Sequence, residues 1–246
     1  MNNNQYDENE SLSSEKKYGA FGGGRVREAD GDAGGISVVK YNLILGGVLF
    51  WGFLANALIC FFTRSVIEEW NPIPILVGYL VFALVGVLMT RSRSAVVSFI
   101  GYNLVVLPLG FMLSLFLVGY EPYLITSVFL MTAAVTLTMM LLSLVFPRLF
   151  LSMGRALGIT LLIVIVFQLI FTFVALATGV FNDSLFLLID WVVVVVFSLY
   201  IGYDWAIAQK RYRTVDAAVD SACALYLDII NLFIRLLSIM GRRSRK

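Results

Sequence analysis

The chain contains no histidine in 246 residues. That absence excludes histidine proton relays, histidine metal sites and triads in which a histidine activates a nucleophile. Charge is also scarce: charged residues make up 14% of the chain, against about a quarter in an ordinary soluble domain. The formal net charge is +2, and the basic residues are dealt out in small groups between apolar runs. No basic patch forms, so no nucleic-acid partner is expected. The two cysteines, Cys60 and Cys223, both fall within apolar runs, where they pack as small hydrophobes and build neither a disulfide framework nor a zinc site. No HExxH motif is present, the glycine motifs of intramembrane Ser or Asp proteases are missing, and the last apolar segment has no lysine for a retinal Schiff base. Neither an enzyme nor a retinal protein is expected, and no cofactor.

What the chain does have is apolar residues, 60% of the total. A chain of this size with so little polar surface cannot cover its own core in water, and the lipid bilayer becomes its solvent and its first partner. Residues 1–40 differ in kind. Met1 to Lys17 is polar and of low complexity, and a glycine-rich stretch follows from Gly19 to Gly35. This region lacks the short apolar core of a cleaved signal peptide. The run Asp30-Gly-Asp-Ala-Gly-Gly begins like an EF-hand loop, but the position that needs a bidentate Glu is Tyr41, so that reading fails. Residues 1–40 read as a flexible cytoplasmic tail.

Seven apolar segments follow, near 42–63, 72–90, 95–118, 122–146, 156–178, 184–208 and 217–240. Each is long enough to cross about 30 Å of hydrocarbon. The breakers between them are Asn71-Pro72, Glu121-Pro122, Pro147 and Asn182-Asp183. Connections this short make consecutive helices antiparallel, so residues 41–242 form one all-α integral membrane bundle of seven helices, with 243–246 as a basic end. Gly46, Gly47 and Gly52 are expected to allow close helix packing. Asn56, Asn103 and Gln168 are expected to act as interhelical hydrogen-bond links.

Basic residues give the orientation. Arg25, Arg27 and Lys40 precede the first segment. Arg91 and Arg93 mark the second connection, Arg148 and Arg155 the fourth, and Lys210, Arg211 and Arg213 the sixth. These connections and the N-terminus read as cytoplasmic. The basic end, with Arg242 and Arg243, lies on the opposite side if the seventh segment spans. That segment is long enough and contains neither Pro nor Gly.

Charged side chains inside membrane helices are costly, and each needs a reason. Asp204 lies close to the sixth connection, where it caps the helix end, pairs with Lys210 or Arg211, or serves a function. Asp228 lies near the centre of the last segment, too deep to reach water by snorkelling. On a helix, Asp220, Ala224, Asp228, Asn231 and Arg235 recur every three or four residues and share one polar face. Arg235 is also a candidate partner for Asp228. Asp190, beside Trp191, and Glu121, beside Pro122, read as interfacial and receive no role.

Two motifs then become recognisable: Ser198-Leu-Tyr-Ile-Gly-Tyr-Asp204, and after a short basic loop Ala224-Leu-Tyr-Leu-Asp228-Ile-Ile-Asn231-Leu-Phe. In that order and at that separation they resemble the Bax inhibitor-1 family, the transmembrane Bax-inhibitor-motif proteins. The resemblance covers roughly residues 40–242 and is concentrated in the last fifty. It implies a bacterial member with seven helices and the last helix in the middle of the bundle. It further implies a pH-sensitive calcium leak in the plasma membrane, controlled by an aspartate pair here matched by Asp204 and Asp228. An arginine at the cytoplasmic end of the second helix would be the latch on the sixth-helix aspartate, and Arg91 or Arg93 matches it. The sequence departs from the pattern with Arg235, where an uncharged residue is expected, and with Ser238, where a basic one is common.

Two carboxylates held close in a poorly solvated site cannot both ionise cheaply, and they exchange protons as a unit. When both are ionised they attract Ca²⁺, transiently and with H⁺ as competitor, or pair with Arg91. When they share a proton they bond to each other. The rival function is a non-transporting membrane regulator that acts through membrane protein partners, as a protease modulator or a stress and cell-death suppressor.

Overall fold

A computed structural model describes residues 35–179 and 182–244, apart from the side chains of Arg243 and Ser244. The tail expected over residues 1–40 lies outside the described residues as far as Gly34, and so does the end of the basic terminus. Seven helices follow one another. They are α1 (Val38–Thr63), α2 (Pro72–Met89), α3 (Ala95–Leu117), α4 (Pro122–Val145), α5 (Pro147–Thr178), α6 (Asp183–Lys210) and α7 (Val215–Ser244), with one 3₁₀ turn at Ile67–Glu69. All seven are long and apolar enough to cross a membrane. The protein is therefore an all-α, multi-pass membrane protein.

Local sequence explains where the helices begin. Ser37 caps α1 by accepting from the Lys40 N–H at 3.2 Å, and Asn71 caps α2 by accepting from the Ile73 N–H at 3.0 Å. A proline occupies the first helical position of α2, α4 and α5, where its missing N–H costs nothing. This last point corrects one boundary. Pro147 is an initiator rather than a breaker, so α5 starts nine residues before the expected 156 and carries Arg148 and Arg155 on its opening turns. At 32 residues it is about 48 Å long, more than the hydrocarbon needs, and the surplus holds the two arginines. The first helix likewise begins at Val38, so the last residues assigned to the tail are helical.

The seventh helix is long and apolar enough to span, and it is the centre of the bundle. It packs against α1, α3, α4 and α6, and every residue from Ser221 to Ile230 is buried. By contrast, α2 is peripheral. It leans on α3, where Gly86 and Gly101 let the two backbones meet: a Cβ on Gly101 would lie 2.7 Å from the Gly86 carbonyl oxygen, and one on Gly86 2.5 Å from that of Gly101. Small residues are what such a crossing requires. Gly46 and Gly47 do not have the packing role expected of them. Both are exposed with open space beside them, because they lie on the outer side of α1. Gly52 does have that role, since the Tyr102 ring occupies the space a side chain would take.

Interhelical hydrogen bonds complete the frame. The Asn56 amide donates to the Tyr226 hydroxyl, tying α1 to α7. Trp51 donates to Asn103 Oδ1 at 2.9 Å, and Tyr102 donates to the Val48 carbonyl at 2.9 Å, tying α1 to α3. Ser143 of α4 donates to the Gly202 carbonyl of α6 at 2.6 Å. With seven antiparallel crossings, the starts of α1 and α7 share one face of the bundle, called here the N face. The starts of α2 and α6 lie on the opposite C face.

Candidate functional site

The polar face of α7 runs the length of the bundle and changes character along it. Its N-face half carries Asp216, Asp220 and Asp228, and its C-face half carries Asn231, Arg235, Ser238 and Arg242. Several of these residues find partners on the elements packed around α7, while Asn231 bonds within its own helix.

At the N face, Ser98 of α3 donates to Asp216 at 2.6 Å. Arg211, in the turn between α6 and α7, is 9% exposed. It donates to the Ser221 hydroxyl at 3.2 Å and lies 3.9 Å from the Asp220 carboxylate. Tyr41 of α1 reaches the same Ser221 at 3.0 Å. One oxygen of Asp220 is buried without a partner.

Two turns deeper, Asp204 of α6 and Asp228 of α7 face each other at side-chain hydrogen-bond range. Asp204 is 6% exposed and Asp228 not at all. Neither oxygen of Asp228 has an N–H or O–H donor; what stands opposite is the other carboxylate. A proton on either residue would supply the missing donor. Arg211 is within electrostatic reach of Asp204. The Tyr200 hydroxyl is within reach of both carboxylates and has no hydrogen-bond partner. Among the described residues, no group of three or more Cys, Asp or Glu side chains comes together. A Ca²⁺ ion at this pair would therefore need carbonyl or water oxygens to fill its shell of six to eight.

The comparisons with known proteins bear on the family. The family whose model matches residues 39–245 is described as inhibitor of apoptosis-promoting Bax1, and that span includes all seven helices and both aspartates. The chain belongs to the Bax inhibitor-1 family. An uncharacterized membrane protein of Streptococcus pyogenes serotype M6 is 30% identical over 171 residues, which is 67% of this chain and 71% of the relative. An uncharacterized protein of Lactococcus lactis is 29% identical over 214 residues, 82% of this chain and 88% of the relative. An uncharacterized protein of Helicobacter pylori is 38% identical over a shorter stretch of 91 residues, 36% of its length.

Within this Bax inhibitor-1 fold, the residues singled out from sequence fall into three groups. Asp204 and Asp228 are brought together. Asp220 joins them indirectly through Arg211. Arg91 and Arg93 are not brought to Asp204: both are exposed in the turn after α2, and α2 packs on α3 and not on α6. Arg235 is not the partner of Asp228, and Asn231 donates to the Leu227 carbonyl of its own helix at 2.7 Å.

Sequence reasoning left one feature open and missed another. It offers Lys210 and Arg211 alike as partners of Asp204, and nothing in the neighbouring residues marks Arg211 as the buried one. Asp190 was read as interfacial with no role, yet it is 2% exposed and takes three donors. Arg235 reaches it at 2.8 Å, Arg242 at 3.0 Å and Ser238 at 3.0 Å. The signal was present as Arg235, Ser238 and Arg242 on one face of the last helix, three positive or polar groups that needed an acceptor.

Proposed function

We propose that this protein is a pH-sensitive calcium leak channel of the bacterial plasma membrane, gated by a proton shared between Asp204 and Asp228. The observation that carries the reading is the buried Asp204–Asp228 contact, in which Asp228 has no donor from any other residue. A carboxylate in that position either binds a proton, binds a cation or destabilises the fold. When both groups are ionised, the pair draws Ca²⁺ or the guanidinium of Arg211. When they share a proton, they bond to each other and the local charge falls. In this reading Arg211 takes the latch role that the family resemblance gave to Arg91. The clustering of Lys40, Arg91, Arg148 and Lys210 at the N face supports a cytoplasmic N face. The reading assigns no catalytic chemistry and no resident cofactor to the chain, and Ca²⁺ enters as cargo.

The test is Ca²⁺ flux in proteoliposomes across a pH series. Wild-type flux is expected to vary with pH, and Asp204→Asn and Asp228→Asn are each expected to flatten that variation. Unaltered flux and unaltered pH dependence in both variants would overturn the two-aspartate mechanism. Activity that survives loss of flux would point instead to a regulator acting through protein partners.

A further inference from the structure

The C-face half of the polar stripe holds a second cluster that the aspartate mechanism does not use. Arg235 extends from α7 across the space between α5 and α6. One guanidinium nitrogen lies 2.8 Å from Asp190 Oδ1, and the other donates to Gln168 Oε1 at 3.0 Å. Arg242 pairs with the second Asp190 oxygen at 3.0 Å and lies over the Phe186 ring, 5.9 Å from its centroid. Ser238 donates to the same oxygen at 3.0 Å. Two guanidiniums thus meet one carboxylate, and the cluster as a whole is positive.

Its position matters as much as its charge. Arg235 is two turns beyond Asp228 on the same face, with only Asn231 between them. A cation moving from the aspartate pair towards the C face along this stripe meets a guanidinium bonded to two neighbouring helices. The opposite direction offers Asp220, two turns from Asp228, and Asp216 one turn further, with the Arg211 guanidinium 3.9 Å from Asp220. The repulsion between like charges in a poorly solvated passage is large compared with that in water.

We propose that the Arg235–Asp190–Arg242 cluster is a cation-excluding plug that closes the route between the aspartate pair and the C face. The inference deepens the proposed function, and it rests on that reading for its biological meaning, but access to the pair is a property that can be measured without transport. The plug and the pair share their two helices: Asp190 and Asp204 are both on α6, and Arg235 and Asp228 are both on α7. Any shift of α7 along α6 that separates the carboxylates also strains the plug. Conduction then requires Arg235 to leave Asp190 and Gln168.

The experiment places a cysteine at Asn231, between pair and plug, in a chain with Cys60→Ser and Cys223→Ala. A membrane-impermeant, cationic thiol reagent is applied to sealed vesicles of either orientation. With Arg235 present, no Cys modification is expected from the C-face side. In Arg235→Gln, modification from the C face is expected to rise by roughly tenfold or more, the effect of lowering a barrier by about 1.4 kcal/mol. Arg235→Lys is expected to stay closed, because it keeps the charge. Asp190 retains Arg242 and Ser238 in Arg235→Gln, so that variant keeps a partnered carboxylate. Arg235→Met removes the same positive charge and serves as a second arm if Arg235→Gln misfolds. Modification from the C face with Arg235 in place, or C-face rates unmoved by either neutralising variant, would each overturn the proposal. None of these readouts depends on Ca²⁺ flux, so the plug and the leak can fail separately.

Discussion

Asp190 and Asp204 lie on the same helix and are buried to nearly the same degree, yet their surroundings are opposite. Asp190 accepts from Arg235, Ser238 and Arg242, and its charge is more than neutralised. Asp204 faces another carboxylate, with Arg211 as the cation within reach. Burial alone therefore does not separate structural from functional carboxylates; the partner inventory does. A buried carboxylate with three donors holds helices together. One that faces another carboxylate without a donor is left to find a proton or a cation.

The largest expected effect tests this contrast through stability. Asp190→Ala strands two arginines and should cost about 3 kcal/mol, the usual penalty for breaking a buried ion pair from one side. Asp228→Asn should leave thermal stability in lipid or detergent unchanged or raised, since its amide N–H replaces the shared proton as a donor to Asp204. Thermal unfolding of the two purified variants checks the pair of predictions. Equal destabilisation would erase the distinction between the regions.

Next in size is the flux of Arg235→Gln. If the C-face cluster restrains conduction, Ca²⁺ release from loaded proteoliposomes should rise roughly tenfold, while Arg235→Lys stays near wild type. Arg211 offers a smaller and signed effect at the other region. Removing this cation makes ionisation of the facing carboxylates harder, so in Arg211→Gln the midpoint of the flux–pH curve should move to higher pH, by about one unit or less. A shift to lower pH would mean that Arg211 does not act on the pair electrostatically.

The smallest effect belongs to a contact outside both regions. Tyr226→Phe removes the acceptor of the Asn56 amide and should cost about 1 kcal/mol of stability, in line with interhelical hydrogen bonds in membranes. It should leave the flux–pH midpoint where it was. A moved midpoint would extend the pH-sensitive region to the α1–α7 contact.

Much of this architecture was legible in the sequence, because the bilayer imposes a length and a composition on every span. Seven segments, the short connections and the two aspartate motifs could all be read directly. What could not be read was lateral placement. Asp190 stands 45 residues from Arg235, and no periodicity within α6 announces that contact; the adjacent Trp191 instead suggested an interfacial belt. Arg211 was hidden among Lys210 and Arg213, whose shared charge spoke for orientation and masked the one side chain that turns inward. Arg91 was placed beside Asp204 by resemblance, whereas the Gly86–Gly101 crossing holds α2 against α3. Pro147 misled in the ordinary way of prolines, which end one helix and begin the next with equal ease.

The central claim is that Asp204 and Asp228 hold one proton between them. Infrared difference spectroscopy of the protein in lipid membranes, titrated through pH, reads the carboxylic-acid C=O band of such a pair. The account predicts a band in the wild type that appears and disappears with pH, and a changed band in both Asp204→Asn and Asp228→Asn, because each carboxyl needs the other. The same titrating band in wild type and in either variant would contradict it.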